Sequence, residues 1–218
     1  MPRSLQIVIP FKPDEAKSRL AEVLAPEERK RLAYSMLRDV LNVSLGHGHA
    51  TILSRPGLDP ARVGKSVEIL ESDLELNEAL NYFLEEHARQ GWHSDILIVM
   101  ADLALLTEKD VAGFLECQSD VVLCPGRGGG TNMILLRSPD YRTCYQGLSY
   151  PKHLHQARDL GLKVAIFESY RAGCDIDKPE DLAEVLLHGQ GETKVLLESM
   201  GFALSDKGRE CLYRRSGR

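Results

Sequence analysis

The chain has 218 residues, which is enough for one large domain with a sizeable hydrophobic core. Its formal net charge of −5 gives no overall positive field that would favour nucleic acid, and no segment approaches the roughly 18 uninterrupted apolar residues of a membrane span. The apolar part of the first strand-like segment is too short for a signal peptide, so we expect a cytoplasmic protein that binds neither nucleic acid nor membrane.

Strand-like and helix-like patterns alternate along the chain. In residues 26–45, for example, apolar side chains recur at helical spacing, and Pro26 suits the first turn of a helix. This alternation predicts a single α/β domain at residues 1–210, with a mixed, mostly parallel sheet and helices on both faces. Residues 211–218 are expected to fray. The predicted strands are 5–9, 50–54, 67–70, 95–100, 121–124, 133–136 and 162–167, and the other predicted helices are 75–89, 151–160, 179–187 and one that begins at about 107.

Several residues mark expected boundaries of these elements. Pro10 is expected to end the first strand, because proline cannot donate to a sheet ladder. Thr107 and Asp110 have the spacing of a capping box, with Asp in place of the usual Glu or Gln. Ser149 is placed to cap the helix near residue 151, and Asp177 could cap the helix near residue 179.

A basic loop follows the first strand. Lys12, Lys17 and Arg19 fall within eight residues, between a strand and a helix. Cations and backbone N–H groups at such a position can surround phosphate and stabilise charge that develops on it. The alternative is a solvated charged loop. A Walker loop is excluded, because Gly-x-x-x-x-Gly-Lys is absent.

Three aspartates stand where strands are expected to end. Asp102 follows the most apolar run, and Asp175 and Asp177 form an Asp-x-Asp further along the chain. Ligands of open α/β sheets bind beyond the carboxyl ends of strands, and carboxylates gathered there commonly hold Mg²⁺. Alone, Asp102 could simply begin a turn and Asp177 could be only a helix cap. Together the three predict a magnesium site.

A glycine-rich turn lies at residues 125–132. Its three consecutive glycines, Gly128 to Gly130, allow positive φ and close backbone approach to a ligand, and Thr131 and Asn132 add polar side chains. We expect this turn to cradle an anion or carboxylate, although a plain hairpin turn remains the alternative.

The helix start at Ser149 is a second candidate anion site, because Lys152 and His153 lie next to it. The alternative is a capped helix with no ligand. His153 and His155 are two residues apart, which is not the spacing of helical zinc ligands, so no zinc site is predicted.

The cysteines carry no predicted chemistry. There are five, none forms a Cys-x-x-Cys pair, and the number is odd, so reduced buried thiols are expected. Cys174 adjoins Asp175 but is interpreted as a small core residue rather than a ligand or nucleophile.

In their order and spacing, these segments resemble the 2-phospholactate guanylyltransferase (CofC) family of coenzyme F-420 biosynthesis. The resemblance spans about residues 5 to 187. Each motif is weak alone, but the ordered set is quite specific. The segments that carry it are Ile9-Pro-Phe-Lys12, Lys17-Ser-Arg19-Leu, Leu76-Asn77-Glu-Ala79-Leu, Ala101-Asp102-Leu-x-Leu-Leu106, Gly129-Gly-Thr131-Asn132, Ser149-x-x-x-His153 and Asp175-Ile-Asp177-x-Pro179-Glu-Asp181-Leu.

The resemblance implies a nucleotidyltransferase fold of the GT-A type and transfer of GMP from GTP to 2-phospho-L-lactate. Bacterial relatives use phosphoenolpyruvate instead, and a sugar-phosphate or molybdenum-cofactor nucleotidyltransferase is a further alternative. A homodimer is left open. Two departures affect the acceptor loop and its surroundings: Ala104 stands where the family usually has proline, and Gln146, not glycine, follows Tyr145.

The resemblance also implies roles for individual residues. Asp102 would act in catalysis together with the basic loop. The implied nucleotide-binding residues are Lys12, Lys17, Arg19, Leu76 and Asn77; the implied acceptor-binding residues are Gly130, Thr131, Asn132, Gln146, Gly147 and Ser149; the implied Mg²⁺ ligands are Asp102, Asp175 and Asp177.

Overall fold

The computed structural model describes residues 4–13, 17–205 and 212–214. Its helices and strands follow the alternation predicted from the sequence. The strands are β1 (Ser4–Phe11), β2 (His49–Ser54), β3 (Glu68–Glu71), β4 (Ser94–Val99), β5 (Val121–Pro125), β6 (Thr131–Leu136), β7 (Val164–Ile166), β8 (Phe202–Leu204) and β9 (Leu212–Arg214). The helices are α1 (Pro26–Ser44), α2 (Pro60–Val63), α3 (Leu76–Arg89), α4 (Glu108–Glu116), α5 (Ser149–Asp159), α6 (Pro179–His188) and α7 (Glu192–Ser199), with a 3-10 turn at Ser18–Leu20.

Seven strands form one sheet in the order β3-β2-β1-β4-β6-β5-β7. The pairs β1–β2, β1–β4, β2–β3 and β5–β7 are parallel, whereas β6 runs antiparallel to both of its neighbours. The predicted mixed, mostly parallel sheet is therefore confirmed. Among the described residues, no helix is both long enough and apolar enough to cross a membrane.

The reversed strand β6 determines which loops meet. Val99 near the end of β4 is opposite Met133 of β6, and Met100 N donates to Asn132 O at 3.0 Å. Because β6 is antiparallel to β4, its amino end lies at the same sheet edge as the carboxyl end of β4. The glycine-rich turn before β6 and the loop that carries Asp102 therefore share that edge.

The core lies on both faces of the sheet. Ile7 and Ile9 of β1 pack on one face with residues of α1 and α4, while Val8 packs on the other face with residues of α3 and α5. This alternation follows from the period of two along a strand. A third apolar cluster joins α1 to α6 and α7. Helices on both faces were predicted, and this is what the structure shows.

The chain after α6 adds structure that the sequence did not reveal. Helix α7 packs against α1, and β8 pairs with β9 as an antiparallel hairpin. The segment expected to fray thus contains the ordered strand Leu212–Arg214, whose Arg214 NH1 donates to Glu28 Oε2 of α1 at 3.2 Å. Residues 211 and 215–218 lie outside the described part of the chain.

Three expected boundary residues have other positions. Pro10 lies inside β1, opposite Leu53 of β2. Strand β1 pairs with β4 only as far as Val8, so Pro10 has a neighbouring strand on one side only and its missing N–H is tolerated. Ser149 is the first residue of α5 rather than its cap, which is Leu148. Helix α6 is capped by Lys178, so Asp177 is not a helix cap and its carboxylate binds elsewhere. The capping box of Thr107 and Asp110 is confirmed.

Candidate active site

A cavity of about 440 Å³ opens beyond the carboxyl ends of β1, β2, β3 and β4. This is the position at which parallel α/β sheets bind their ligands. One end of the cavity is charged and the other carries more apolar side chains. Its lining residues are Pro10, Phe11, Lys12, Lys17, Ser18, Arg19, Ala33, Met36, Leu53, Ser54, Arg55, Ser72, Leu74, Glu75, Leu76, Ala79, Met100, Ala101, Asp102 and Asp177.

The charged end is organised around Lys17. Lys17 Nζ lies 2.6 Å from Asp102 Oδ2 and 2.7 Å from Asp177 Oδ1, so one ammonium bridges loops that are 85 and 160 residues away in sequence. Its side chain is only 10% exposed. The sequence predicted that Lys17, Asp102 and Asp177 share a site, and the structure brings all three together.

The backbone at Lys17 is unusual. Its φ of 63° and ψ of 47° place it in the left-handed helical region, which residues other than glycine rarely occupy. The conformation begins the 3-10 turn Ser18–Leu20 and directs the ammonium toward the two carboxylates. A strained conformation at a bridging cation is typical of a functional site.

The charges of this cluster shift each other's protonation. Burial alone would lower the pKa of Lys17, but Asp102 and Asp177 outweigh it and the pKa is raised. Burial raises the pKa of Asp177, yet Lys17 and then Arg19 reverse the effect, so the pKa is below its usual value. Both groups are therefore held in their charged forms at neutral pH.

Asp175 lies in a different environment. Burial raises its pKa, and the charges of Asp102 and Asp177 raise it further. The negative charges of Asp102 and Asp177 thus oppose a negative charge on Asp175. A divalent cation would relieve this repulsion, and oxygen ligands are those that Mg²⁺ prefers.

The three aspartates do not form a ready-made metal group in this structure. In the described ranges, no set of three or more His, Cys, Asp or Glu is arranged to hold a metal ion. The Lys17 ammonium bridges two of the predicted ligands instead. Asp102 Oδ1 is nevertheless buried without a hydrogen-bond partner in the part of the chain described, so the donor set fits a divalent cation chemically.

The other basic side chains lie nearby. Lys12 and Arg19 both line the cavity, and Arg19 NH1 lies 3.2 Å from Asp177 Oδ2 with its side chain 68% exposed. The three cations predicted for phosphate binding therefore all line one cavity.

The predicted acceptor residues form a second, buried group. Thr131 Oγ1 lies 3.1 Å from Ser149 Oγ and 2.8 Å from His153 Nδ1. Asn132 does not join them, since its Nδ2 donates to Ala172 O at 2.9 Å. The structure thus brings Thr131 and Ser149 together and gives Asn132 a different partner.

His153 orients this group. Cys144 N donates to His153 Nε2 at 2.7 Å, so Nε2 carries no proton. In the neutral ring, Nδ1 must then carry the proton and donate it to Thr131. Burial lowers the pKa of His153 to about 4, which keeps the ring neutral at physiological pH. Sequence reasoning gave His153 no such role; its spacing of four from Ser149 on one helix was the available signal.

Of the remaining predicted site residues, some line the cavity and others hold the neighbouring loops together. Leu76 lines the cavity, but Asn77 Oδ1 accepts from Tyr145 N at 2.5 Å and so anchors the loop before α5. In that loop, Gln146 O accepts from Lys152 Nζ at 2.7 Å, and Gly147 has a φ of 59° that favours glycine. Gly130 O accepts from Gly126 N at 2.9 Å and closes the glycine-rich turn.

Comparison with known proteins gives the family. Residues 5–215 match the family model described as guanylyl transferase CofC like. The chain belongs to this family. Across 205 residues, 94% of this chain and 93% of the relative, it is 48% identical to a protein of Methanothrix thermoacetophila named 2-phospho-L-lactate guanylyltransferase. A protein of Archaeoglobus fulgidus with the same name is 37% identical over 97% of this chain and 98% of its own.

Solved structures show the same fold as this member of the CofC-like family. A nucleotide-diphospho-sugar transferase from Desulfovibrio desulfuricans aligns with a TM-score of 0.73 at 19% identity, covering 89% of this chain and 94% of its own. A nucleotidyl transferase from Methanothermobacter aligns with a TM-score of 0.63 at 15% identity, covering 90% and 99%. The predicted nucleotidyltransferase fold is confirmed.

Two residues that line the cavity were not identified from the sequence. Arg55 follows β2 and Glu75 precedes α3, and both line the end of the cavity opposite Lys17. Arg55 NH2 donates to Glu75 Oε1. An arginine and a glutamate 20 residues apart give no local signal, because their contact depends on how β2 and α3 pack.

Proposed function

We propose that this enzyme transfers GMP from GTP to 2-phospho-L-lactate and releases pyrophosphate. The product is lactyl-2-diphospho-5′-guanosine, an intermediate of coenzyme F-420 biosynthesis. The observation that carries the proposal is the cluster of Lys17, Asp102 and Asp177 at one end of a nucleotide-sized cavity. The names of relatives that are 48% and 37% identical over nearly the whole chain support the same choice. We also propose that the enzyme is located in the cytoplasm.

The cavity has the charges that a nucleoside triphosphate requires. Lys12, Lys17 and Arg19 line it and neutralise the triphosphate, whose negative charge increases on the departing pyrophosphate. Lys17 is already held in position by two carboxylates, so little reorganisation is needed during the reaction.

The chemical step is an in-line displacement at the α-phosphorus of GTP. A phosphate oxygen of the acceptor forms the new bond, the bond between the α-phosphorus and its bridging oxygen breaks, and pyrophosphate leaves with that electron pair. The acceptor phosphate is ionised at neutral pH, so no strong general base is required. Catalysis then consists mainly of positioning the two phosphates and stabilising charge.

Asp102, Asp175 and Asp177 are the residues that would hold Mg²⁺. When bound, the ion supplies Lewis-acid stabilisation of phosphate oxygens and a template for the two phosphates. Asp102 Oδ1, which has no hydrogen-bond partner among the described residues, and the raised pKa of Asp175 support this assignment. Lys17 holds Asp102 and Asp177 in place and offsets the repulsion between their charges.

The acceptor is assigned to the region of the glycine-rich turn and the start of α5. Gly130, Thr131, Gln146, Gly147 and Ser149 belong to these two segments. Thr131 and Ser149 are joined through one hydrogen bond, and His153 donates to Thr131, so the group keeps one hydroxyl proton that can be donated to an anion.

The test is pyrophosphate release from GTP in the presence of Mg²⁺, with 2-phospho-L-lactate and phosphoenolpyruvate supplied separately. We expect release with 2-phospho-L-lactate and a product that contains GMP joined to it, identified by mass spectrometry. Faster release with phosphoenolpyruvate would identify that acid as the preferred acceptor. No release with either acid would refute the proposed function.

A further inference from the structure

The end of the cavity opposite Lys17 carries one ion pair beside its apolar side chains. Arg55 NH2 donates to Glu75 Oε1, and both side chains line the cavity beyond the ends of β2 and β3. Among the described residues that line the cavity, the other two carboxylates, Asp102 and Asp177, are bound to Lys17 at the opposite end. Glu75 is therefore the carboxylate available to a ligand group that lies far from the phosphates.

The distance between the two ends suits a nucleotide. Strands β3, β2, β1 and β4 are consecutive in the sheet, and neighbouring strands are about 4.8 Å apart, so the ends of β3 and β4 are separated by roughly 14 Å. With the triphosphate beside Lys17, the base reaches the loops after β2 and β3. Apolar side chains are present there for its faces, among them Leu53, Leu74 and Leu76.

The Arg55–Glu75 pair matches one edge of guanine. Guanine presents in order the N2 amino donor, the N1–H donor and the O6 acceptor on its Watson–Crick edge, followed by the N7 acceptor on the adjacent Hoogsteen edge. A carboxylate beside a guanidinium presents acceptors followed by donors. Adenine would place its N1 lone pair against the carboxylate, which has no proton to offer.

We propose that Glu75, held by Arg55, reads the N1–H and N2 amino groups of guanine and so determines the base specificity of the nucleotide site. This inference rests on the proposed function, because it places the guanine of GTP in that cavity. The contact from Arg55 to Oε1 occupies one of about four lone-pair sites of the carboxylate, so Glu75 keeps the capacity to accept both guanine donors.

The test compares the wild-type enzyme with Glu75→Gln, using GTP, xanthosine triphosphate and ATP in the pyrophosphate-release assay. A glutamine amide keeps one acceptor but offers an N–H in place of the other, and xanthine has an oxygen where guanine has its N2 amino group. We expect kcat/KM for GTP to fall about 10- to 100-fold, as one charged hydrogen bond is lost. We also expect the preference for GTP over xanthosine triphosphate to decrease or reverse.

Glu71→Gln is the matched control, because Glu71 ends β3, is exposed and does not line the cavity. It makes the same change of charge and should leave the nucleotide preference unaltered. A merely structural role of Glu75, which precedes α3, could lower the melting temperature of Glu75→Gln but would not improve xanthosine triphosphate relative to GTP.

Nucleotide binding without an acceptor separates this inference from the proposed function. Calorimetric titration of GTP and xanthosine triphosphate into both proteins reports base selectivity even if no pyrophosphate is released with 2-phospho-L-lactate. A lower GTP preference in Glu75→Gln supports the inference in either assay. An unchanged ratio of the two affinities, or the same loss of preference in Glu71→Gln, would overturn it.

Discussion

Replacing Lys17 with methionine tests the charged end of the cavity most directly. The substitution keeps an unbranched side chain of similar length but leaves Asp102 and Asp177 without their shared ammonium, which lies 2.6 Å and 2.7 Å from them. Breaking a buried ion pair costs about 3–5 kcal/mol, and an exposed pair is worth about 0–1 kcal/mol.

The exposures of these side chains give a value between those limits. Lys17, Asp102 and Asp177 are 10%, 22% and 35% exposed, and Asp177 keeps its contact with Arg19. We therefore expect a loss of about 2 kcal/mol in the free energy of unfolding, from the range for breaking buried pairs reduced by solvent screening. For a chain of this size, that loss corresponds to a fall of about 4–8 °C in melting temperature.

The assay is thermal unfolding of Lys17→Met with and without Mg²⁺, followed by pyrophosphate release. Mg²⁺ should raise the melting temperature of Lys17→Met more than that of the wild type, because the variant has uncompensated carboxylates. Turnover should fall by about 10²–10³, as for other groups that stabilise charge in the transition state. Arg19→Met is the control for stability, since the exposed contact of Arg19 with Asp177 at 3.2 Å should contribute less than about 1 kcal/mol to the free energy of unfolding. A Lys17→Met enzyme with wild-type stability and turnover would refute this account of the site.

Four further variants test Asp102, Thr131 and His153. Asp102→Asn should abolish pyrophosphate release at saturating Mg²⁺ while circular dichroism shows an intact fold; near-native turnover would remove Asp102 from the mechanism. Thr131→Val should raise the KM of the acceptor substrate far more than the KM of GTP. It should also lower the free energy of unfolding by about 1–3 kcal/mol, because His153 Nδ1–H loses its hydrogen-bond partner, and Thr131→Ser should restore most of the substrate affinity and of the stability. Equal effects on the KM of the two substrates would show that the acceptor site is placed wrongly. Burial lowers the pKa of His153 from 6.5 to about 4. Between pH 6.5 and pH 4, the imidazole therefore binds a proton in the unfolded chain but not in the folded protein. The free energy of unfolding should thus fall as the pH decreases through this range, by up to about 3 kcal/mol. In urea titrations across this range, His153→Gln should flatten the pH dependence; a slope equal to that of the wild type would exclude the assignment.

Local patterns in the sequence were sufficient for most elements of the fold. Helix α1 begins at Pro26 as predicted, and the capping box of Thr107 and Asp110 opens α4, because both signals act within a few residues. Strand bounds were close because buried strands of a parallel sheet are continuous apolar runs. Pro10 was placed wrongly because its tolerance inside β1 depends on where the neighbouring strand β4 stops pairing.

The candidate site was only partly predictable, since its contacts join distant segments. Lys17, Asp102 and Asp177 were identified one by one from their positions after strands, but nothing local showed that one ammonium joins both carboxylates across 85 and 160 residues. For the same reason, nothing in the sequence indicated that Asn77 Oδ1 accepts from Tyr145 N, 68 residues away.

The left-handed backbone at Lys17 sets two demands that no single residue satisfies. Glycine would adopt a φ of 63° without steric cost, but it has no ammonium; lysine supplies the charge and accepts an unfavourable conformation. Lys17→Gly would relieve about 1–2 kcal/mol of backbone strain, but it would also leave Asp102 and Asp177 without their shared ammonium, a loss of similar size. Position 17 is thus one at which the backbone conformation and the charge of the site favour different residues.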